Sequence, residues 1–373
     1  MTDLTSLGIQ LMDFSFKAKL RRWWGRNKPR RWVVGLAAVL ALLAGYLHMS
    51  ANAQNGQAAE LKERAAIRAK VARLLDADDF AGLDQLADTY RKTQARTSSG
   101  IWKLNVFYSA FHTKVKKAGK DDPVWRSIAR KLAVWQSQFP DSPTPIIANA
   151  IVMKRYAPTL RSPVLVQRAS TAASDEDVAF VTTLLAAKAH LEKHRAVASR
   201  DPHYYVIWAN LAFALGRLGA DDATFFDIMI EGMQAFPEYY PIYFAAMDYV
   251  APPARGDAKA LEALANMAVE QTRTVDGLSL YARVYWTAHS SYFGKDLFRR
   301  SNVNWPRMSA AIDDILKRYP DQWNINNFAY FSCLAGDVGK TRSLLARIEG
   351  KPVREVWKTS TAYRACENLA KAG

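Results

Sequence analysis

Asp201-Pro202-His203-Tyr204-Tyr205-Val206-Ile207-Trp208-Ala209-Asn210-Leu211-Ala212-Phe213-Ala214-Leu215-Gly216-Arg217-Leu218-Gly219 opens the stretch that decides the fold. The stretch closes 35 residues after its first proline, at Phe236-Pro237-Glu238. Proline ends one helix and cannot continue it, because it lacks the amide hydrogen and its ring clashes with the preceding turn. After Pro202 the first turn is aromatic, Trp208, Leu211 and Ala212 recur at helical spacing, and Gly219 marks a turn. The unit reads as helix, glycine turn, second helix and proline stop.

The same landmark, an aromatic residue or Asp before proline at a helix start, recurs at Phe139-Pro140-Asp141 and Tyr319-Pro320-Asp321. Beyond Pro320, Ile325, Phe328, Ala329 and Gly336 repeat the offsets of the first unit. Upstream, Leu61, Ala65, Ala69, Ala72 and Leu75 predict an amphipathic helix over 61–75. An acidic turn at Asp76–Asp79 then leads to a second stripe of Phe80, Leu83, Leu86, Ala87 and Tyr90. Thr97-Ser98-Ser99-Gly100 offers cap residues to a helix carrying Trp102, Leu104, Phe107, Tyr108 and Phe111. No alternating β-branched run would build a sheet, so the expected fold class is all-α.

The 35-residue unit resembles tetratricopeptide-like helical repeats, whose period is 34 residues. The C-terminal segments Tyr281-Ala282-Arg283-Val284-Tyr285-Trp286, Trp323–Ala329 and Cys333-Leu334-Ala335-Gly336-Asp337 resemble an uncharacterised bacterial domain-of-unknown-function family. The resemblance covers about residues 70–370 and implies stacked helical hairpins with a concave face for a peptide or partner protein. It carries no known activity. Gaps of 62 and 83 residues between the other landmarks depart from a regular repeat.

The N-terminus reads as a membrane-targeting signal. Eight Lys/Arg against Asp3 and Asp13 precede an uncharged apolar run from Trp32 through Leu40 to Leu47. That run covers about 24 Å as a helix, short for a hydrocarbon core of about 30 Å. Ala51-x-Ala53 has the small-residue spacing of a signal-peptidase site, so a cleavable signal and a retained anchor are both open readings. Trp32 and Tyr46, at the two ends, favour the anchor. The expected organisation is a basic cytoplasmic tail (1–31), a transmembrane helix (32–49), a linker (50–60) and an all-α domain (61–373) outside the cytoplasmic membrane of a bacterium.

The formal charge is +16, and the tail accounts for part of it. A basic domain at a membrane is drawn to anionic surfaces, and the cluster Lys114, Lys116, Lys117 and Lys120 is a candidate for such contact. Nucleic acid is excluded as a partner by compartment and by the absence of a nucleic-acid motif. Two cysteines, Cys333 and Cys366, stand 33 residues apart, close to one hairpin repeat; a disulfide and two buried thiols are both open.

Gly336-Asp337-Val338-Gly339-Lys340-Thr341 copies the end of a phosphate-binding loop, but the first glycine of that motif is Leu334 here. The alternative is a helix-turn-helix corner. His190 and His194, four apart with His203 as a third, have metal-ligand spacing, although Glu192, Lys193 and Arg195 around them suit a solvated helix end. The acidic pairs Asp78-Asp79, Asp121-Asp122 and Asp221-Asp222 read as helix caps, and Asp313-Asp314 as a solvated face. No catalytic, cofactor or metal residue is assigned.

The chain carries 16 Phe, 16 Tyr and 11 Trp, and polar-tipped aromatics concentrate at Tyr281, Arg283, Tyr285, Trp286, His289 and Tyr292. Such groups suit a partner or ligand groove as well as a helix-packing core. The expected function is that of a membrane-anchored, non-catalytic scaffold or adaptor for a protein or peptide. The alternative is an aromatic-lined groove for an envelope glycan or lipid, with hydrolysis by acidic residues left open.

Overall fold

The structure is a computed structural model that describes residues 58–160, 175–216, 219–251 and 257–372. The basic tail and the apolar run Trp32–Leu47 lie outside the described residues. Among the described residues no helix is long and apolar enough to cross a membrane.

The described residues contain helices and no β-strand; Arg96 and Trp102 form an isolated bridge. The longer helices are α1 (Ala59–Asp76), α2 (Phe80–Thr93), α3 (Lys103–Lys114), α4 (Val124–Gln138), α5 (Pro143–Tyr156), α6 (Asp175–Lys193), α7 (His203–Leu215) and α8 (Asp222–Ala235). They continue as α9 (Pro241–Val250), α10 (Ala258–Asp276), α11 (Ser279–Ala288), α12 (Trp305–Arg318), α13 (Gln322–Leu334), α14 (Val338–Leu345) and α15 (Ser360–Lys371).

Each proline landmark is a helix stop with one backbone shape. Phe139, Phe236 and Tyr319 end α4, α8 and α12 with φ/ψ of −128/66°, −137/61° and −131/69°. Proline crowds the residue before it out of the α region, and the aromatic ring is left at the corner. The next helix starts at once, with Pro143 or Pro241 in its first turn or with Asp321 accepting the amide of Trp323 at 2.7 Å.

The helices α3, α5, α7 and α9 pack side by side, as do α9 and α11, while α2, α4, α8, α10 and α12 join them as hairpin partners. The inner helices are apolar almost all round, as a buried helix must be: on α7 alone Tyr204, Val206, Ile207, Trp208, Leu211 and Ala212 are buried. Gly219 lets the α7–α8 turn close on the backbone of Ala212, where a Cβ would meet the carbonyl oxygen at 2.4 Å. The first helix, α1, packs on α3 and also on α13, so the array is closed by its own beginning and end.

The segment after α2 occupies the point of closure. Thr97–Gly100 does not cap α3, whose N-cap residue Trp102 makes no side-chain cap bond. Instead the buried carboxylate of Glu60 on α1 accepts the Thr97 hydroxyl at 2.9 Å, the Ser98 hydroxyl at 3.1 Å and the Ser99 amide at 2.8 Å. Burial opposes the charge on Glu60, but Arg64 and these donors outweigh it and hold the pKa below its usual value. From the other side, Arg283 and Asn324 donate to the Ser99 carbonyl at 2.7 and 3.1 Å.

The stripe expected on the first helix is corrected. Ala65 and Ala69 are exposed, and Ile67, Val71 and Leu75 face the core with Glu60. Alanine loses little at a solvated surface, whereas the larger β-branched side chains gain more from burial.

Candidate functional site

The inner faces of α3, α5 and α7 enclose a cavity of about 510 Å³, and α6 and α9 complete its wall. Its apolar surface comes from Ile151, Leu184, Ile207 and Phe213, and Phe213 remains 40% exposed. Polar groups converge on it from four helices: Asn105 and Ser109 on α3, Lys154 and Arg155 on α5, Asn210 on α7 and Asp248 on α9. This combination of apolar walls and a few fixed polar groups is what ligand cavities share.

Lys154 and Arg155 end α5, a helix whose other side chains are largely apolar and buried. The Lys154 ammonium lies 3.4 Å from Asn210 Oδ1 and is in no ion pair among the described residues. Arg155 donates through Nη2 to the Lys116 carbonyl at 2.9 Å, while its Nε is buried without a partner. Burial pushes the Lys154 pKa down; Asp248 pulls it up and Arg155 adds to the fall. Burial likewise raises the Asp248 carboxyl, against the pull of the Tyr292 hydroxyl at 3.0 Å and of Lys154. At the mouth His112 is held below its ordinary pKa by burial and by Arg155, Lys154 and Lys116.

The floor is rigid. Asp201, fully buried before α7, accepts Arg91 Nε and Nη2 at 2.9 and 2.8 Å and the Tyr108 hydroxyl at 2.7 Å, and its other oxygen accepts the His203 amide at 2.8 Å. His203 stacks on Tyr108 with ring centres 4.4 Å apart and shares a 2.8 Å hydrogen bond between Nδ1 and the Tyr239 hydroxyl. Burial lowers its pKa to about 3, so the ring is neutral.

The aromatic segment proposed from the sequence packs inward. Tyr281, Arg283 and Tyr285 are buried; both tyrosine hydroxyls donate to Glu262 on α10, and Arg283 lies over the Tyr240 and Tyr319 rings. Trp286 packs against Trp323, Phe328 and Phe331, and His289 against Phe331. These rings join helices, with Trp286, His289 and Tyr292 partly exposed. Of that segment, Tyr292 alone reaches the cavity, through Asp248.

His190 and His194 sit with ring centres 5.0 Å apart, but His203 is bonded elsewhere, and no cluster of three metal-ligating residues exists among the described residues. The Gly336–Thr341 segment is a helix corner: Asp337 caps α14 by accepting the Lys340 amide, Lys340 pairs with Asp313, and the Thr341 hydroxyl donates to the Asp337 carbonyl. Asp314 is corrected from a solvated position, since it accepts the Leu278 amide at 2.7 Å across the α10–α11 turn. Cys333 and Cys366 are joined as a disulfide between α13 and α15. Lys114, of the expected basic cluster, pairs with Asp76.

Sequence reasoning missed Lys154, Arg155, Asn210 and Asp248. The available signal was a charge inside an apolar helix, at Lys154 in Pro143–Tyr156 and at Asp248 in Pro241–Val250, because charged groups are buried only where something compensates them. No protein-family profile, no curated protein and no solved structure matches this chain.

Proposed function

We propose that the chain is a membrane-anchored, non-catalytic binding protein. Its helical domain lies outside the cytoplasmic membrane and takes a segment of a protein or peptide partner in the cavity between α3, α5 and α7. The cavity carries this reading: about 510 Å³ with polar groups from four helices suits one or two side chains of a bound segment. The charge asymmetry around Trp32–Leu47 supports the anchor and its orientation. The experiment is in-cell photocrosslinking from Phe213, on the cavity rim, in the full-length tagged protein, followed by mass spectrometry. One protein crosslinked from Phe213 and not from Val134, exposed on α4, is the expected result. Equal crosslinking from both positions refutes the reading.

A further inference from the structure

We infer that the cavity is an oxyanion site, in which Lys154 and Arg155 receive a carboxylate or phosphate while the apolar part of the ligand lies against Leu184, Ile207 and Phe213. The inference rests on the proposed binding role and names the chemistry that the bound segment must carry.

Three observations converge on it. Lys154 lines the cavity, its nearest hydrogen-bonding neighbour is the amide oxygen of Asn210 at 3.4 Å, and it has no ion-pair partner among the described residues. A half-buried ammonium so poorly matched gains from an anion that enters without having to displace an existing carboxylate. Second, Arg155, which also lines the cavity, turns one guanidinium nitrogen to the Lys116 carbonyl and leaves Nε buried and unpartnered. Third, the cations Lys154 and Arg155 line the cavity with one carboxylate, Asp248, whose Oδ1 is engaged by Tyr292. Asn105 lines the same cavity, and Asn210, whose Nδ2 donates one hydrogen to the Val206 carbonyl, keeps a second amide hydrogen for the remaining oxygens.

The test uses the full-length protein in detergent and calorimetric titration with phenyl phosphate, benzoate and inorganic phosphate, with neutral benzyl alcohol as control. Phenyl phosphate or benzoate should bind while benzyl alcohol does not. The stronger of the two distinguishes a phosphoryl from a carboxylate ligand, and weaker binding of inorganic phosphate shows that the apolar wall contributes. Lys154→Met should weaken the better probe by about tenfold or more, the usual worth of a hydrogen bond to a charged group. Asp248→Asn removes the opposing charge and should tighten it severalfold, an effect that misfolding cannot mimic. Lys117→Met, at an exposed position, should leave it unchanged. Failure of all anionic probes to bind, equal binding of benzyl alcohol, unchanged binding by Lys154→Met, or weaker binding by Asp248→Asn overturns the inference. Partner crosslinking from Phe213 that survives Lys154→Met would leave the binding role standing and remove the oxyanion chemistry. Anion binding without any crosslinked protein would do the reverse.

Discussion

The guanidinium of Arg283 donates to the carbonyl of Ser99 at 2.7 Å, across 184 positions of sequence. Arg283 is buried, with Tyr240 and Tyr319 rings 5.3 and 5.8 Å from its centre, and Asn324 shares the same carbonyl. Closing so long a loop has an entropic cost that one hydrogen bond does not repay, so the contact stands only because α1, α11 and α13 meet the 97–100 turn together.

That turn has no room for a side chain. Gly100 has φ +91°, and a Cβ would lie 2.7 Å from Arg283 Nη2 and 2.8 Å from the Tyr319 ring. Gly100→Ala should lower stability by about 2–3 kcal/mol, since backbone strain and displacement of a buried cation combine. Urea unfolding measures it; a midpoint shift indistinguishable from that of Gly119→Ala, at a glycine with open space around it, would show the closure to be loose.

Asp201 should be the most sensitive single acid in the domain. Replacing it by Ala takes the Tyr108 hydroxyl's acceptor and leaves Arg91 with Asp88 and Thr144, so the loss should lie near the lower end of the about 3–5 kcal/mol that breaking a buried pair costs. Asp201→Asn keeps one acceptor oxygen and should lose less. Thermal melts of both variants check the order, and equal losses would count against a charge-specific role.

Acid should unfold the domain partly through His203. The unfolded imidazole takes up a proton near pH 6.5, while the folded one refuses it until about pH 3. Stability is therefore fully present above 6.5 and falls as pH drops from 6.5 towards 3, by about 2 kcal/mol at pH 5 from this residue. His289, lowered to about 4 by burial and by Lys358, acts in the same direction. The slope of unfolding free energy between pH 4 and 6 should be shallower by about one proton in His203→Gln. An unchanged slope would mean that the ring is hydrated in the folded state.

Reduction should loosen the C-terminal end first. The disulfide closes 33 residues, α14 included, and a loop of that length stabilises by about 3–4 kcal/mol when closed. With dithiothreitol, hydrogen exchange should rise in α14 and α15 while α5 and α7 keep their protection. Uniform loss of protection would show that the domain unfolds as one cooperative unit.

Some of this was legible in the residues alone. Phe139-Pro140, Phe236-Pro237 and Tyr319-Pro320 announced helix ends, and all three are helix ends of one shape, because a proline acts on its immediate neighbours whatever surrounds them. Trp208, Leu211, Ala212 and Gly219 marked a hairpin interior for the same local reason. The Thr97–Gly100 turn was misread as a cap, since its true partners lie on α1, α11 and α13, far along the chain. The aromatic segment around Tyr281 was open to two uses that differ only in what packs against it.

The sequence by itself determined that this domain is helical and where many of its helices stop, for those are short-range consequences of periodicity, caps and prolines. Only the tertiary structure decided which face of α1 is buried, that the array closes on Ser99, and that Lys154, Arg155, Asn210 and Asp248 share one cavity. These depend on contacts between residues far apart in the chain, where burial by distant helices, and no local preference, sets whether a charge is solvated, paired or left facing an apolar cavity.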